Sequence, residues 1–160
     1  MKRIVVLGAG IGGMSVAYEL RAALGKDRAE ITVIGEGTKF SFTPSNPWVA
    51  VGWRKPADIQ IDAPVHLAKK GIGFEAAGAE RVLPESNQVL LRDGPTLDYD
   101  YLVITTGPRL AFDEVPGLGP SAHTQSICTT DHAVTAWAAY EQFLKDPGPI
   151  VIGAAPGVRC

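Results

Sequence analysis

The distribution of apolar and polar residues near the start of the chain predicts a strand, a helix and a second strand. Residues 2–7 alternate little and are rich in β-branched side chains, which is typical of a parallel strand buried on both faces. From Gly12 to Leu24 the apolar residues recur at helical spacing, and Gly25 is a suitable helix stop. Residues 30–34 form the next apolar run. This order makes a βαβ unit with a right-handed crossover.

Further along the chain the pattern predicts shorter elements. Residues 39–54 combine several aromatic side chains with Pro44 and Pro47 in a pattern that is neither helical nor extended, so we expect an apolar covering loop. The remaining predicted elements are a short helix at 66–70, a strand at 73–76, an antiparallel meander at 80–83, 88–91 and 96–99, a buried strand at 101–105, a helix over 130–144 capped by Thr130, and a strand at 150–152. Strands that alternate with helices in this way are typical of α/β proteins.

Composition narrows the classes of function. The chain has 160 residues, of which 46% are hydrophobic, enough for one domain with a core. Its net charge of -2, without a basic stretch, disfavours nucleic acid as a partner. The first apolar run is too short for a secretion signal, and no run reaches the length of a membrane span. The two cysteines fit no zinc spacing and are too few for a secreted disulfide scaffold, so we expect structural or redox thiols and no metal site.

A glycine-rich turn between the first predicted strand and helix is a candidate binding motif. Gly8, Gly10 and Gly13 form the pattern G-x-G-x-x-G, with Ala9 and Gly12 inside the same turn. In this motif the first glycine permits the tight turn, the second lets a diphosphate approach the backbone, and the third lets the helix pack closely on the strand. The helix N-terminus then faces the negative charge of the diphosphate. We therefore predict a dinucleotide site at these five residues.

An acidic residue that binds the ribose is expected about 20 residues further on, at the end of the second strand. Glu36 follows this strand, but Gly35 stands between them, so the acid comes one position later than the pattern requires. We nevertheless expect Gly35 and Glu36 to lie at the ribose.

The segment from Thr96 to Gly107 indicates which dinucleotide binds. Its sequence, TLDYDYLVITTG, resembles the second motif of flavoproteins that bind two dinucleotides, in which a meander precedes a strand whose end closes over FAD. A second glycine-rich turn, at 153–158, reads GAAPGV. Ala155 adds a methyl group where a diphosphate would press, and Pro156 lacks an amide donor, which disfavours NAD(P)H as the electron donor.

Three further stretches carry a more specific resemblance. They are FSFTPSNPWVAVGW at 40–53, QSICTTDH at 125–132 and GPIVIG at 148–153, the last leading to Cys160. Together with the two flavin motifs, they resemble sulfide:quinone oxidoreductases along essentially the whole chain. The resemblance implies an FAD-dependent enzyme, similar to pyridine nucleotide-disulfide oxidoreductases, that oxidises sulfide to sulfur or polysulfide and reduces a quinone.

The motifs and the resemblance together predict the fold. We expect an α/β, doubly wound, Rossmann-like FAD-binding domain over residues 1–147, with a parallel sheet and a β-meander and without its late strand. Residues 148–160 would then open a second Rossmann-like domain with its first strand. In this interpretation the chain is the front portion of a larger enzyme and is incomplete for turnover.

The resemblance also implies roles for individual residues. Cys160 would be the thiol beside the flavin, working with a third cysteine far downstream, while Cys128 would be a further active-site thiol and His132 would supply or take a proton. In this chemistry sulfide attacks a disulfide, a persulfide forms, and a thiolate passes an electron pair to the flavin. From the residues alone, Cys128 can equally be a core cysteine and His132 a helix-end residue. Other cofactor contacts are expected at Gly78 and Ala79 for the adenine and at Thr43, Thr106 and Gly107 for the diphosphate or ring side.

The same resemblance implies sulfide and a quinone as substrates. It also implies peripheral membrane contact through a part of the enzyme beyond this otherwise soluble portion, and it is compatible with a homo-oligomer. Three alternatives stay open: a nucleotide-binding module without turnover, the flavoprotein subunit of a cytochrome-linked sulfide dehydrogenase, and a nicotinamide-dependent quinone reductase. The second predicts an export signal, which the sequence does not show. The turn at Ala155 and Pro156 disfavours the third.

Overall fold

The computed structural model describes residues 1–154, which contain nine strands and five α-helices. The strands are β1 Lys2–Leu7, β2 Ala29–Ile34, β3 Lys39–Ser41, β4 Gln60–Asp62, β5 Gly73–Glu75, β6 Ala79–Leu83, β7 Gln88–Leu91, β8 Thr96–Asp98 and β9 Tyr101–Ile104. The helices are α1 Ile11–Arg28, α2 Asn46–Ala50, α3 Pro56–Ile59, α4 Ala63–Ala68 and α5 Thr130–Phe143. None of these helices is long and apolar enough to cross a bilayer.

A four-stranded parallel sheet, in the order β5-β2-β1-β9, forms the centre. β1 pairs with β2 over all six of its residues and with β9 over its last four. Because the strands are parallel, their carboxyl ends meet at one edge of the sheet. The glycine turn after β1 and the residues after β2 and β9 therefore share this edge.

The two faces of the sheet are covered by different elements. Ile4 and Val6 of β1 face a core that α1 and α4 complete with Met14, Ala17 and Leu67. The opposite face packs against the antiparallel meander β6-β7-β8, in a core of its own. The predicted α/β fold with a parallel sheet and a β-meander is confirmed. One detail differs, since in the described part the meander covers the face on which a doubly wound domain carries helices.

Residues 39–54 are more regular than their pattern predicts. Phe40 lies in β3, which pairs antiparallel with β4 and places it opposite Ile61. Pro44 and Pro47 stand in the first turn of a 3-10 helix and of α2, where a missing N–H leaves no hydrogen bond unmade. The prediction of an irregular loop is wrong because both prolines begin helices instead of interrupting them.

α2 packs against α5 in a small core separate from the sheet. Its buried residues are Val49, Ala50, Ile59, Ala133 and Ala136. Gly52, with φ +74°, packs closely against the ring of Trp137 in α5. A Cβ at Gly52 would lie 2.5 Å from that ring. This contact holds the middle of α5 against the turn that follows α2.

Three predictions of secondary structure differ from the structure: the end of α1, the cap of α5 and the strand at 150–152. α1 continues to Arg28, although the non-helical φ of 69° at Gly25 breaks it at the predicted stop. The cap of α5 is Thr129 instead of Thr130, because Oγ1 of Thr129 accepts the N–H of His132 at 3.1 Å. Residues 150–152 form no strand, since no described strand pairs with them to complete their hydrogen bonds. The second domain therefore stays a prediction.

Candidate functional site

The turn between β1 and α1 has the shape that its glycines predict. Gly8 has φ +112°, and a Cβ at this position would collide with the backbone oxygen of Thr105. A Cβ at Gly13 would collide with the carbonyl oxygen of Gly8, because α1 packs directly against the turn. Both positions accept only glycine, for reasons internal to the protein.

Gly10 is different, because no contact within the described residues requires a glycine there. Its φ is -77°, and a Cβ would meet no atom within 4 Å. Gly10 is the N-cap of α1; no side chain caps this helix, and its first turn contains no acidic residue. Ile11 and Gly12 are exposed residues of the first turn, and their backbone amides lie at the positive end of the helix dipole. This open cradle fits the diphosphate of a dinucleotide such as FAD.

Thr105 supports the turn from β9, and the sequence analysis missed it. Its hydroxyl lies 3.0 Å from the oxygen of Leu7 and 3.1 Å from that of Gly8, and donates a hydrogen bond shared between them. The predicted residues were the next two, Thr106 and Gly107, which are exposed at the same edge of the sheet. Two adjacent threonines give no sequence signal for which one reaches under the turn.

The end of β2 extends the cradle. Gly35 is tightly enclosed, since a Cβ there would lie 2.8 Å from the ring of Phe74 and 2.9 Å from the Cβ of Ala9. Glu36 follows at the surface, and its Oε1 lies 2.6 Å from Nη2 of Arg92 in a largely exposed ion pair. The acid therefore stands at the predicted edge, despite its shift by one position.

Arg92 is a second residue that the sequence analysis missed. Its backbone N–H donates to the oxygen of Gly78 at 3.1 Å. Gly78 has φ +76°, and a Cβ there would lie 3.2 Å from Cγ of Glu36. Gly78 and the adjacent Ala79, both predicted for the adenine, thus lie beside the predicted ribose acid. No motif could indicate Arg92, because it lies 56 residues from Glu36 in the sequence.

Cys128 is an exposed free thiol in the segment before α5. The hydroxyl oxygen of Ser126 accepts the N–H of Cys128 at 3.2 Å and lies 3.2 Å from Nδ1 of His132. The ring of His132 also packs against Phe112, with 5.6 Å between centroids. The backbone N–H of Cys128 and the imidazole of His132 thus meet at one hydroxyl group. Within residues 1–154 Cys128 is exposed, so it belongs to no core of this part of the fold.

Thr43 lies across from the start of α5. It helps to line a surface pocket of about 210 Å³, whose other lining residues are Ser41, Gln60, Thr129, Thr130 and Asp131. Thr43 therefore shares a polar pocket with residues that directly follow Cys128. Residues 1–154 bring together no group of three or more His, Cys, Asp or Glu side chains that could hold a metal ion. Cys160 lies outside the described residues, so its place beside the flavin stays a prediction.

Known proteins share both sequence and fold with this chain. The family model for the pyridine nucleotide-disulphide oxidoreductases matches residues 2–156. The sulfide-quinone reductase of Aquifex aeolicus (strain VF5) is 41% identical over 159 residues, which are 99% of this chain and 36% of that protein. The mitochondrial sulfide:quinone oxidoreductase of Dictyostelium discoideum is 31% identical over 162 residues, which are 99% of this chain and 35% of that protein.

A solved structure gives the same relationship in three dimensions. The X-ray structure of the Aquifex aeolicus sulfide:quinone oxidoreductase matches with a TM-score of 0.90, covering 100% of this chain and 36% of that one. The chain thus spans about a third of the length of each of these relatives. Over the shared part, the sheet, the glycine turn and the meander follow the same fold.

Proposed function

Because the chain belongs to the pyridine nucleotide-disulphide oxidoreductase family, we propose that it acts within an FAD-dependent sulfide:quinone oxidoreductase. The overall reaction oxidises hydrogen sulfide to zero-valent sulfur, released as sulfur or polysulfide, and transfers two electrons and two protons to a quinone, which becomes the quinol. The observation that carries the proposal is the 41% identity, over 99% of the chain, to the sulfide-quinone reductase of Aquifex aeolicus.

The glycine cradle is the proposed FAD site. The first-turn amides of α1, above Gly10, would bind the diphosphate through their N–H groups and the helix dipole. When bound, FAD supplies the electron acceptor for the sulfur chemistry and the electron donor for the quinone. The other proposed contacts are Gly8, Ala9, Gly12 and Gly13 in the turn, Gly35 and Glu36 at the ribose, Gly78 and Ala79 at the adenine, and Thr43, Thr106 and Gly107 on the diphosphate or ring side.

Arg92 would orient the ribose acid. Its guanidinium pairs with Oε1 of Glu36, which leaves Oε2 to accept a hydrogen bond from a ribose hydroxyl. The ion pair is exposed, so it contributes little to folding. Its contribution would be to hold one carboxylate orientation at the cofactor.

The sulfur chemistry is assigned to the thiols. Cys128 is exposed, so sulfide can reach its sulfur. In the proposed step sulfide attacks Cys128 in a disulfide with a second cysteine of the enzyme and the S–S bond breaks. Cys128 then carries the zero-valent sulfur atom as a persulfide, and the second cysteine leaves as a thiolate that would pass the electron pair to FAD. Nδ1 of His132 is bound to Ser126, which leaves Nε2 to take a proton from the incoming sulfide or to return it. Cys160 is proposed as the thiol beside the flavin.

The substrates indicate where such an enzyme acts. A quinone dissolves in the bilayer, so the proposal includes peripheral association with a membrane. Sulfide reaches the thiols from water, and the proposal needs neither nucleic acid nor a metal ion as a partner. A homo-oligomer is compatible with it.

Anaerobic spectroscopy of the FAD-loaded enzyme within which this chain is proposed to act tests this function. Sulfide should bleach the flavin absorbance, and a short-chain quinone should restore it, whereas NADH should leave the absorbance unchanged. Cys128→Ser should slow the bleaching at least about tenfold with unchanged FAD content, because the sulfur carrier is lost. Ser121→Ala, at an exposed position, is the control and should react like the unmodified protein. A flavin that NADH reduces and sulfide does not would contradict the proposal.

A further inference from the structure

The segment that carries Cys128 has no regular secondary structure of its own. Residues 124–129 lie in neither a strand nor a helix, and most of their side chains are exposed. Such a segment is mobile unless contacts from elsewhere in the fold hold it. Its anchor is Asn46, whose side chain binds Ile127 across a separation of 81 residues.

Asn46 reaches both sides of Cys128. Its Nδ2 donates to the backbone oxygen of Ile127 at 3.0 Å. Its Oδ1 accepts a hydrogen bond from the hydroxyl of Thr130 at 3.3 Å. These partners are the residue directly before Cys128 and the second residue after it. One amide side chain therefore fixes the chain on both sides of the thiol.

The amide group suits these two partners because it offers both a donor and an acceptor. An aspartate would present only acceptors, and so could not bind the carbonyl of Ile127. An apolar side chain would leave both partners without their hydrogen bonds. Asn46 is 0% exposed and Thr130 is 6% exposed, so the hydrogen bond between their side chains is shielded from water.

Asn46 is itself rigidly placed. It begins α2, and the next turn of that helix is buried against α5 through Val49 and Ala133. The close contact of Gly52 with Trp137 joins the same two helices. Because Asn46 is held by this packed core, its amide group holds the exposed segment in a fixed place relative to the core.

We infer that Asn46 is a positioning residue for the Cys128 thiol. The inference rests on the proposed function, in which Cys128 carries sulfur. By holding residues 127 and 130, Asn46 keeps Cys128 in one arrangement with the Ser126–His132 pair. It acts through the backbone of the segment and touches no reacting atom.

Backbone ¹⁵N order parameters and the rate at which sulfide reduces the flavin, both measured in the enzyme within which this chain is proposed to act, test the inference. In the unmodified protein residues 127–129 should have order parameters of about 0.85, typical of rigid backbone. In Asn46→Ala and in Thr130→Val they should fall below about 0.6. The reduction rate should fall at least about tenfold, because the thiol is no longer held in place.

Two variants serve as controls. Thr130→Ser keeps the hydroxyl that binds Asn46, so it should restore both the order parameters and the rate. Asn87→Ala removes an asparagine at φ +52° in the meander, so it should lower the melting temperature while residues 127–129 stay rigid. This variant separates general destabilisation from loss of the anchor.

Unchanged order parameters in both Asn46→Ala and Thr130→Val would overturn the inference. So would a loosened segment with an unchanged rate of flavin reduction. Failure of the proposed function gives a different result. Sulfide would then fail to reduce the flavin in the unmodified protein as well as in every variant. The order parameters alone would then decide whether Asn46 anchors the segment.

Discussion

The glycines of the turn after β1 are required for different reasons. Gly8 and Gly13 are enclosed by the protein's own backbone, so any side chain there collides with Thr105 or with Gly8 itself. Gly10 faces open space, so its lack of a side chain matters only for something that binds there. The sequence motif predicts all three glycines but cannot show which one serves the fold and which one serves a ligand.

This difference predicts opposite effects for the same substitution. Gly10→Ala should keep the melting temperature of the unmodified protein and weaken FAD binding about tenfold, because the new methyl group projects into the cradle. Gly13→Ala should lower the free energy of unfolding by about 3 kcal/mol or more, because its Cβ falls on the oxygen of Gly8. Thermal unfolding and quenching of FAD fluorescence measure the two effects. Full FAD affinity in Gly10→Ala would exclude Gly10 from the site.

Elements of the fold are joined by a buried arginine at the break in α1. Arg21 is 8% exposed and donates to the backbone oxygens of Gly25, Ala29 and Gly71. It thereby connects the end of α1, the start of β2 and the loop before β5. The sequence predicts a helix stop at Gly25 but gives no indication of this link, since a charged residue in an amphipathic helix is expected at the surface.

Arg21→Met should therefore be costly for the whole βαβ unit. The substitution keeps the length of the side chain but leaves three carbonyl groups without their donor, and we expect a loss of about 2–4 kcal/mol in the free energy of unfolding. Arg28→Met is the matched control, because Arg28 is exposed and, among residues 1–154, bonds only to Ala23 and Leu24 of its own helix. It should cost less than about 1 kcal/mol. Equal losses in urea unfolding of the two variants would contradict the proposed link.

At the scale of the whole molecule, what could be predicted from the sequence depends on distance along the chain. The β1-α1-β2 unit and the meander follow local patterns of apolar residues and turns, and both were predicted with shifts of only a few residues. The contacts of Thr105 with Gly8, of Glu36 with Arg92 and of Asn46 with Ile127 span 97, 56 and 81 residues. No local pattern encodes such pairs, because the fold brings together residues that lie far apart in the sequence.

Another long-range contact joins the start of β1 to the residue before β9. It predicts that the fold loses stability at acid pH. The backbone N–H of Arg3 donates to Oδ2 of Asp100 at 2.7 Å, and this hydrogen bond lowers the pKa of Asp100 below its ordinary value of 3.8. A carboxyl group whose folded pKa is depressed stabilises the fold above its unfolded pKa, and this contribution is lost as the pH falls through the folded pKa. The pKa of the nearby Asp98 is also lowered, mainly by a hydrogen bond from Gln88 and secondly by one from Arg3.

Asp100→Asn should thus lower the melting temperature at neutral pH, with a gap from the unmodified protein that narrows as the pH falls below about 4. Melting curves at a series of pH values measure this gap. A gap that stays constant down to the lowest pH would show that the charge of Asp100 does not contribute.

The central claim is that the cradle above Gly10 binds the diphosphate of FAD. Its most direct test is a titration of the ¹⁵N-labelled protein with FAD, in which the amide chemical shifts are measured. The account predicts the largest shifts at residues 10–13, with smaller shifts at 35–36, 78–79 and 106–107. The competing location for an anion is the other edge of the sheet, where Lys26, Lys69 and Lys70 line a pocket of about 480 Å³. Largest shifts at these lysines, with residues 10–13 unmoved, would contradict the account.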